Sequence, residues 1–249
     1  MRSESANRFA DAPADVPFRV CPYGHVPRPE IIQVEEGRRV TAVDWVPGTG
    51  GVAMIADEGR TSDQKELVFV TESGSVQQLP LPAGLSSPVY GVNLVAGHEP
   101  LVVIGEARWS DSDIKLTVME ELFDVPDEGD LIVMDFGGVV RARHRSAHGA
   151  SLSPDFRWMS YWRSGDNGLH NLFVTRPEQE SAVFVAAIVE MDPGSGMSFS
   201  ECWSADSRYL HVSGEAFGLR TVRWTYDVIA QELYADDGGT AAAMSVPSV

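Results

Sequence analysis

The chain is poor in cysteine and in basic residues, and it has no long apolar run. Cys21 and Cys202 are its two cysteines in 249 residues. Two cysteines resemble neither a disulfide framework nor a metal-thiolate spacing, and Cys202, on a strand between Glu201 and Trp203, reads as an inert buried thiol. Only 19 Lys and Arg stand against 36 Asp and Glu, for a net charge of -17. A surface that negative repels phosphate backbones and anionic headgroups, which excludes nucleic acid and membrane as expected partners. No apolar stretch approaches the roughly 18–20 residues of a membrane-spanning helix. Residues 1–16 are polar and lack the apolar centre of a secretory signal, so the expected location is the cytoplasm. Long helical periodicity is absent as well.

What the chain does hold is a repeat. Ser153-Pro154-Asp155-Phe156-Arg157-Trp158 returns as Ser204-Ala205-Asp206-Ser207-Arg208-Tyr209. Each copy lies between two apolar, β-branched runs, and self-similarity at such a period signals a repeat architecture. Laid on these turns, the chain divides into four blocks of four predicted strands. The first block has strands at 40–46, 52–56, 67–71 and 75–79, and the second at 90–95, 101–105, 131–136 and 139–144. The third has strands at 150–153, 158–162, 172–175 and 182–188, and the fourth at 199–204, 209–213, 221–226 and 229–234. Four antiparallel strands per repeat describe a β-propeller blade. The expected fold is therefore all-β, a propeller of four blades, or five if strand-like runs at 18–23 and 30–34 contribute to another. The expected domain spans 17–237, with flexible ends at 1–16 and 238–249.

The third block, Ser-Pro-Asp-x-Arg-Trp followed by Asn171-Leu172-Phe173-Val174, resembles the repeats of WD-type propellers of the TolB-like class. Phe156 and Ser207 stand where that class usually has glycine, and Ala205 stands where it has proline. The resemblance implies a fold and no activity, because propellers host enzymes, lectins and scaffolds alike.

Between the second and third strands of the second block lies the most acidic stretch of the sequence. Residues 111–130 contain Asp111, Asp113, Glu120, Glu121, Asp124, Asp127, Glu128 and Asp130 against a single base, Lys115. Trp109, Met119, Leu122 and Phe123 are interspersed, and 114–118 alternates like an extended hairpin arm. Such a segment can dock a basic protein, with charge steering the encounter and Trp109 and Phe123 anchoring it; the plainer reading is a solvated loop whose apolar residues cover the propeller rim. An immunity or inhibitor protein for a basic toxin or enzyme is one form of the docking reading.

Other constellations point less far. The run from Asp124 to Asp130 lacks the spacing of a calcium-binding EF-hand loop, and Asp166-Asn167-Gly168 is a turn sequence. His144 and His148 do not share a helix face, so the sequence calls for no metal and no cofactor. Arg141, Arg143 and Arg145 alternate along one strand, which suits a solvated blade edge or, more sharply, an anion site. Asp44 and Glu201 fall in first strands of their blocks, where they could face one channel. Two carboxylates so placed are the alternative reading, a carbohydrate-active or lectin-like propeller. Trp45, Trp158, Trp162, Trp203 and Trp224 fall on or beside strands and read as packing between blades.

Overall fold

A computed structural model describes residues 37–57, 65–82, 89–108, 128–165, 169–189, 198–215 and 222–235. The expectations for the two ends, for strands at 18–23 and 30–34 and for the arm at 114–118 lie outside these residues. The described residues form only strands and turns, in four four-stranded antiparallel sheets. The first holds β1 (Arg38–Val46), β2 (Gly50–Asp57), β3 (Lys65–Val70) and β4 (Val76–Leu79). The second holds β5 (Val89–Val95), β6 (Leu101–Arg108), β7 (Glu128–Asp135) and β8 (Val140–His144). The third holds β9 (Ala147–Leu152), β10 (Met159–Gly165), β11 (Leu169–Thr175) and β12 (Val183–Val189). The fourth holds β13 (Ser198–Trp203), β14 (Tyr209–Glu215), β15 (Val222–Asp227) and β16 (Glu232–Ala235). Within each sheet the strands lie in sequence order, as in a propeller blade.

The middle strands are apolar on both faces because both faces are buried. In β2, Val52 and Met54 alternate with Ala53 and Ile55, and none of the four is more than 7% exposed. A two-sided burial of this kind turns the usual alternation into a continuous apolar run.

The chain divides into two compact units. One carries β1–β8 and β9 as far as Ala150; the other carries Ser151 to the end of β16, apart from the turn Pro177–Glu180. In the first unit, Val52, Met54 and Leu67 of blade one pack with Leu94, Val102 and Ile104 of blade two. In the second, Trp162, Leu172 and Val174 of blade three pack with Leu210, Val212 and Trp224 of blade four, with Trp158 and Trp203 at the margin. These tryptophans therefore serve the core. Each fully buried side chain of this size contributes roughly 1.5–3 kcal/mol.

The repeated hexapeptide has one physical design in both copies. The Ser153 hydroxyl accepts the Trp158 N–H at 3.0 Å and donates to Asp155 Oδ1 at 2.8 Å, while that carboxylate accepts the Arg157 N–H at 3.1 Å. Ser204, Asp206, Arg208 and Tyr209 repeat the pattern. The fourth residue is left-handed in each, with φ of 60° at Phe156 and 61° at Ser207. That conformation explains why glycine is usual there in the resembled class.

Several boundaries differ from expectation; β6, β10 and β14, for example, run on to Arg108, Gly165 and Glu215. The first part of β7, Glu128 to Asp130, was expected in a loop, since charge and glycine do not read as strand. The ladder with β6 reaches to Arg108 opposite Glu128 and holds those residues extended. β16 begins at Glu232 and not at 229, because Asp227 Oδ1 accepts the N–H groups of Ile229 and Ala230 and forms a turn there. β9 begins at Ala147, ahead of the expected 150.

Candidate functional site

The connections between the second and third strands of the four blades span 58–64, 109–127, 166–168 and 216–221, all outside the described residues. The second is an insertion. Its two ends leave the β6–β7 ladder from directly opposed positions, Arg108 and Glu128, so the blade is complete without it. Trp109, Asp111, Asp113, Glu120, Glu121, Phe123, Asp124 and Asp127 all lie within it, outside the described residues. Glu128 lies in β7 at its root.

Asp130 is not part of that surface. It is 3% exposed and accepts Arg143 at 3.0 Å through Oδ2 and the Ser146 N–H at 3.2 Å through Oδ1. A buried carboxylate needs such a partner to remain charged at tolerable cost. The arginine stripe is committed in the same way: Arg141 reaches Asp135 Oδ2 at 2.7 Å. These pairs turn two of the three arginines toward their own blade and away from an anion site. His144 and His148 are buried, 1% and 8% exposed.

Asp44 and Glu201 take up different duties. Asp44 Oδ2 accepts the Leu94 N–H of β5 at 2.8 Å and so ties blade one to blade two. Burial pushes its carboxyl up, and the N–H groups of Leu94 and Trp45 oppose that rise without cancelling it. Glu201 lies against Ser160 of β10, in the seam between blades three and four. Its Oε2 is shut off from solvent and has no hydrogen-bond partner. Burial pushes this carboxyl up to about 8, with Ser160 opposing. In the same seam, Ser151 O accepts Trp203 Nε1–H at 3.3 Å and the Ser160 hydroxyl at 3.4 Å.

The strand phase explains the divergence. Val46 and Ser204 hold equivalent turn positions, accepting the N–H of Thr49 and of Ser207. Asp44 is two residues before its turn and Glu201 is three before its own. Successive strand residues face opposite sides, so the two carboxylates belong to opposite faces of their blades.

Among the described residues, no three His, Cys, Asp or Glu side chains gather as a metal site. Cys202 corrects the expectation of an inert thiol: it is disulfide-bonded. The chain's other cysteine, Cys21, lies outside the described residues. Sequence spacing carried no signal of this bond, because a cystine needs only that two Cα atoms come within about 7 Å in the fold.

No family model and no curated protein sequence matches the chain. Solved structures do. Prolyl oligopeptidase B from Galerina marginata matches 84% of this chain and 30% of its own, with a TM-score of 0.50 and 9% identity. A protein of Agrobacterium tumefaciens assigned as a TolB matches over 80% and 61%, at a TM-score of 0.47 and 12% identity. The β-propeller domain of the Trilobed protease from Pyrococcus furiosus matches over 57% and 41%, at 0.38 and 18%. The chain spans less than two thirds of the length of each of these proteins. Likeness at such identities concerns the fold alone, and the fold is a β-propeller.

Proposed function

We propose that this chain is a non-enzymatic protein-binding propeller whose acidic face takes a basic partner, with residues 109–128 as the principal contact. The observation that carries the reading is the β6–β7 ladder. It closes at Arg108 opposite Glu128, so the intervening acidic residues are surplus to the blade. A segment that the fold does not require, holding six carboxylates and one lysine between its strand ends, is supported best as a recognition element. The net charge of -17 would steer the same class of partner over a distance. An immunity or inhibitor role toward a basic toxin or enzyme is the specific form of this proposal, and kinship with TolB-like propellers stands beside it on the strength of the hexapeptide.

The alternative, a carbohydrate-active or lectin-like propeller, rests on Asp44 and Glu201. It has less support, because Asp44 Oδ2 is engaged by Leu94 and Glu201 Oε2 is closed to solvent.

The test is a capture experiment with the full chain and with a variant in which an Asn-Gly turn replaces 109–127, a closure suited to opposed strand ends. The full chain should enrich proteins of high isoelectric point, with recovery falling as ionic strength rises. The variant should lose them. Equal recovery by both proteins would refute the reading.

A further inference from the structure

Among the described residues, Arg38, Arg141, Arg143, Arg157 and Arg208 each pair with a carboxylate. Arg163 of β10 is held differently. Its guanidinium lies 5.3 Å from the ring centre of Tyr161 and 4.7 Å from that of Phe173, and its Nη2 donates to the Tyr161 hydroxyl at 3.1 Å. The phenol is no counter-ion. Burial pushes its pKa up, Arg163 opposes the rise without cancelling it, and the group stays neutral. The Arg163 Nε–H is buried and has no acceptor. A buried donor without a partner is rare, and it is costly in a charged group. Contact with the rings offsets part of that cost but satisfies no hydrogen bond.

Strand register puts Arg163 opposite Asn171, Tyr161 opposite Phe173, and Phe173 opposite Phe184, so these residues share one face of blade three. Trp162, Leu172 and Val174 belong to the other face, in the core shared with blade four. Tyr161 and Phe173 stack with centroids 5.6 Å apart, and Phe184 meets Phe173 edge-on at 5.8 Å. Tyr161 is buried beneath; Arg163, Asn171 and Phe173 are half-buried, and Phe184 is 37% exposed, so the patch reaches solvent.

We propose that this face of blade three binds a small carboxylate with a flat apolar body, the carboxylate on Arg163 and the body on Phe173 and Phe184. A guanidinium presents paired N–H groups that match the two oxygens of a carboxylate. The rings already hold this one in place, so little side-chain freedom is left to lose on binding. Asn171, opposite Arg163, brings a carboxamide that can donate or accept beside the same group. Phosphate would meet the charge but leave the rings uncovered, and an amine would face the guanidinium with like charge. The proposal rests neither on the acidic insertion nor on a basic partner.

The probe is 3-phenylpropionate, titrated into the full chain by calorimetry, with 3-phenylpropionamide and inorganic phosphate as comparisons. Saturable binding of the acid is expected, with the uncharged amide and the phosphate each weaker by about tenfold. Arg163→Gln should weaken the acid by about tenfold or more, and Arg163→Lys, which keeps the charge without the fork, by less. Phe184→Ser removes an exposed ring and should weaken it by about threefold, with circular dichroism reporting the fold of every variant. The variant with 109–127 replaced should bind as the full chain does. The proposal is overturned if the acid does not bind, if the amide or phosphate binds as tightly, or if folded Arg163→Gln binds undiminished. Should Arg163→Gln fail to fold, undiminished binding by Phe184→Ser overturns it instead.

Discussion

The Asp155 N–H donates to the Ser207 hydroxyl at 3.0 Å, across 52 positions of sequence. The link joins the two copies of the hexapeptide: the fourth residue of one turn serves the third residue of the other. Ser207 is 4% exposed although it holds a left-handed conformation. Its side chain therefore does what a glycine at this place could not.

Ser207→Ala should destabilise the chain by about 1–2 kcal/mol, read from the urea midpoint at unchanged slope. Ser207→Gly relieves the left-handed backbone but also loses the hydroxyl, so it should fall between Ala and the parent. If Ser207→Ala is as stable as the parent, the hydroxyl link contributes nothing.

Gln231 offers the contrasting case. It has φ of 57° and an exposed side chain with no hydrogen bond to lose. Gln231→Gly should raise stability by roughly 0.5–1 kcal/mol, visible as a small increase in Tm, because only the backbone penalty is removed. A loss of stability would show that the native turn is not strained.

Glu201 sets a pH dependence with a definite sign. The folded state keeps its proton up to about 8, whereas an ordinary glutamate releases it near 4.5. Between those values the folded state binds more protons than the unfolded state. Stability should therefore fall as pH rises from about 4.5 to about 8 and level off above that. Glu201→Gln keeps the shape without the charge and should remove this slope, leaving a more stable protein at pH 8 and above. Denaturation midpoints across pH measure both; parallel curves for the two proteins would contradict the buried placement.

Cys202 gives a chemical test. The unreduced protein should show no free thiol by mass spectrometry after alkylation under denaturing conditions. Reduction should lower stability by about 2–5 kcal/mol. Alkylation of Cys202 without prior reduction would refute the bond. A bond that withstands this test belongs with an oxidising compartment rather than the cytoplasm.

The local pattern made much of the fold legible. All sixteen strands occupy positions near those read from apolar runs, because a strand buried on both faces is apolar whatever packs on it. The hexapeptide was readable for the same reason: its hydrogen bonds close within six residues. Legibility failed where distant partners decide. Charge hid the strand at Glu128–Asp130 until Arg143 and β6 came alongside. The site fared worse than the fold, since the insertion stands out only by its composition and by the ladder that closes beneath it.

By itself, then, the sequence determined the blade: its strands, its turn and the acidic surplus in the second repeat follow from contacts between near neighbours in the chain. Only the tertiary structure decided what the carboxylates do. Asp44 bonds a strand 50 positions away, Asp130 pairs with Arg143, and Glu201 lies half-buried beside Ser160 with its Oε2 closed to solvent. Desolvation and pairing are set by whichever strands the packing of blades brings together, and no local pattern encodes that choice.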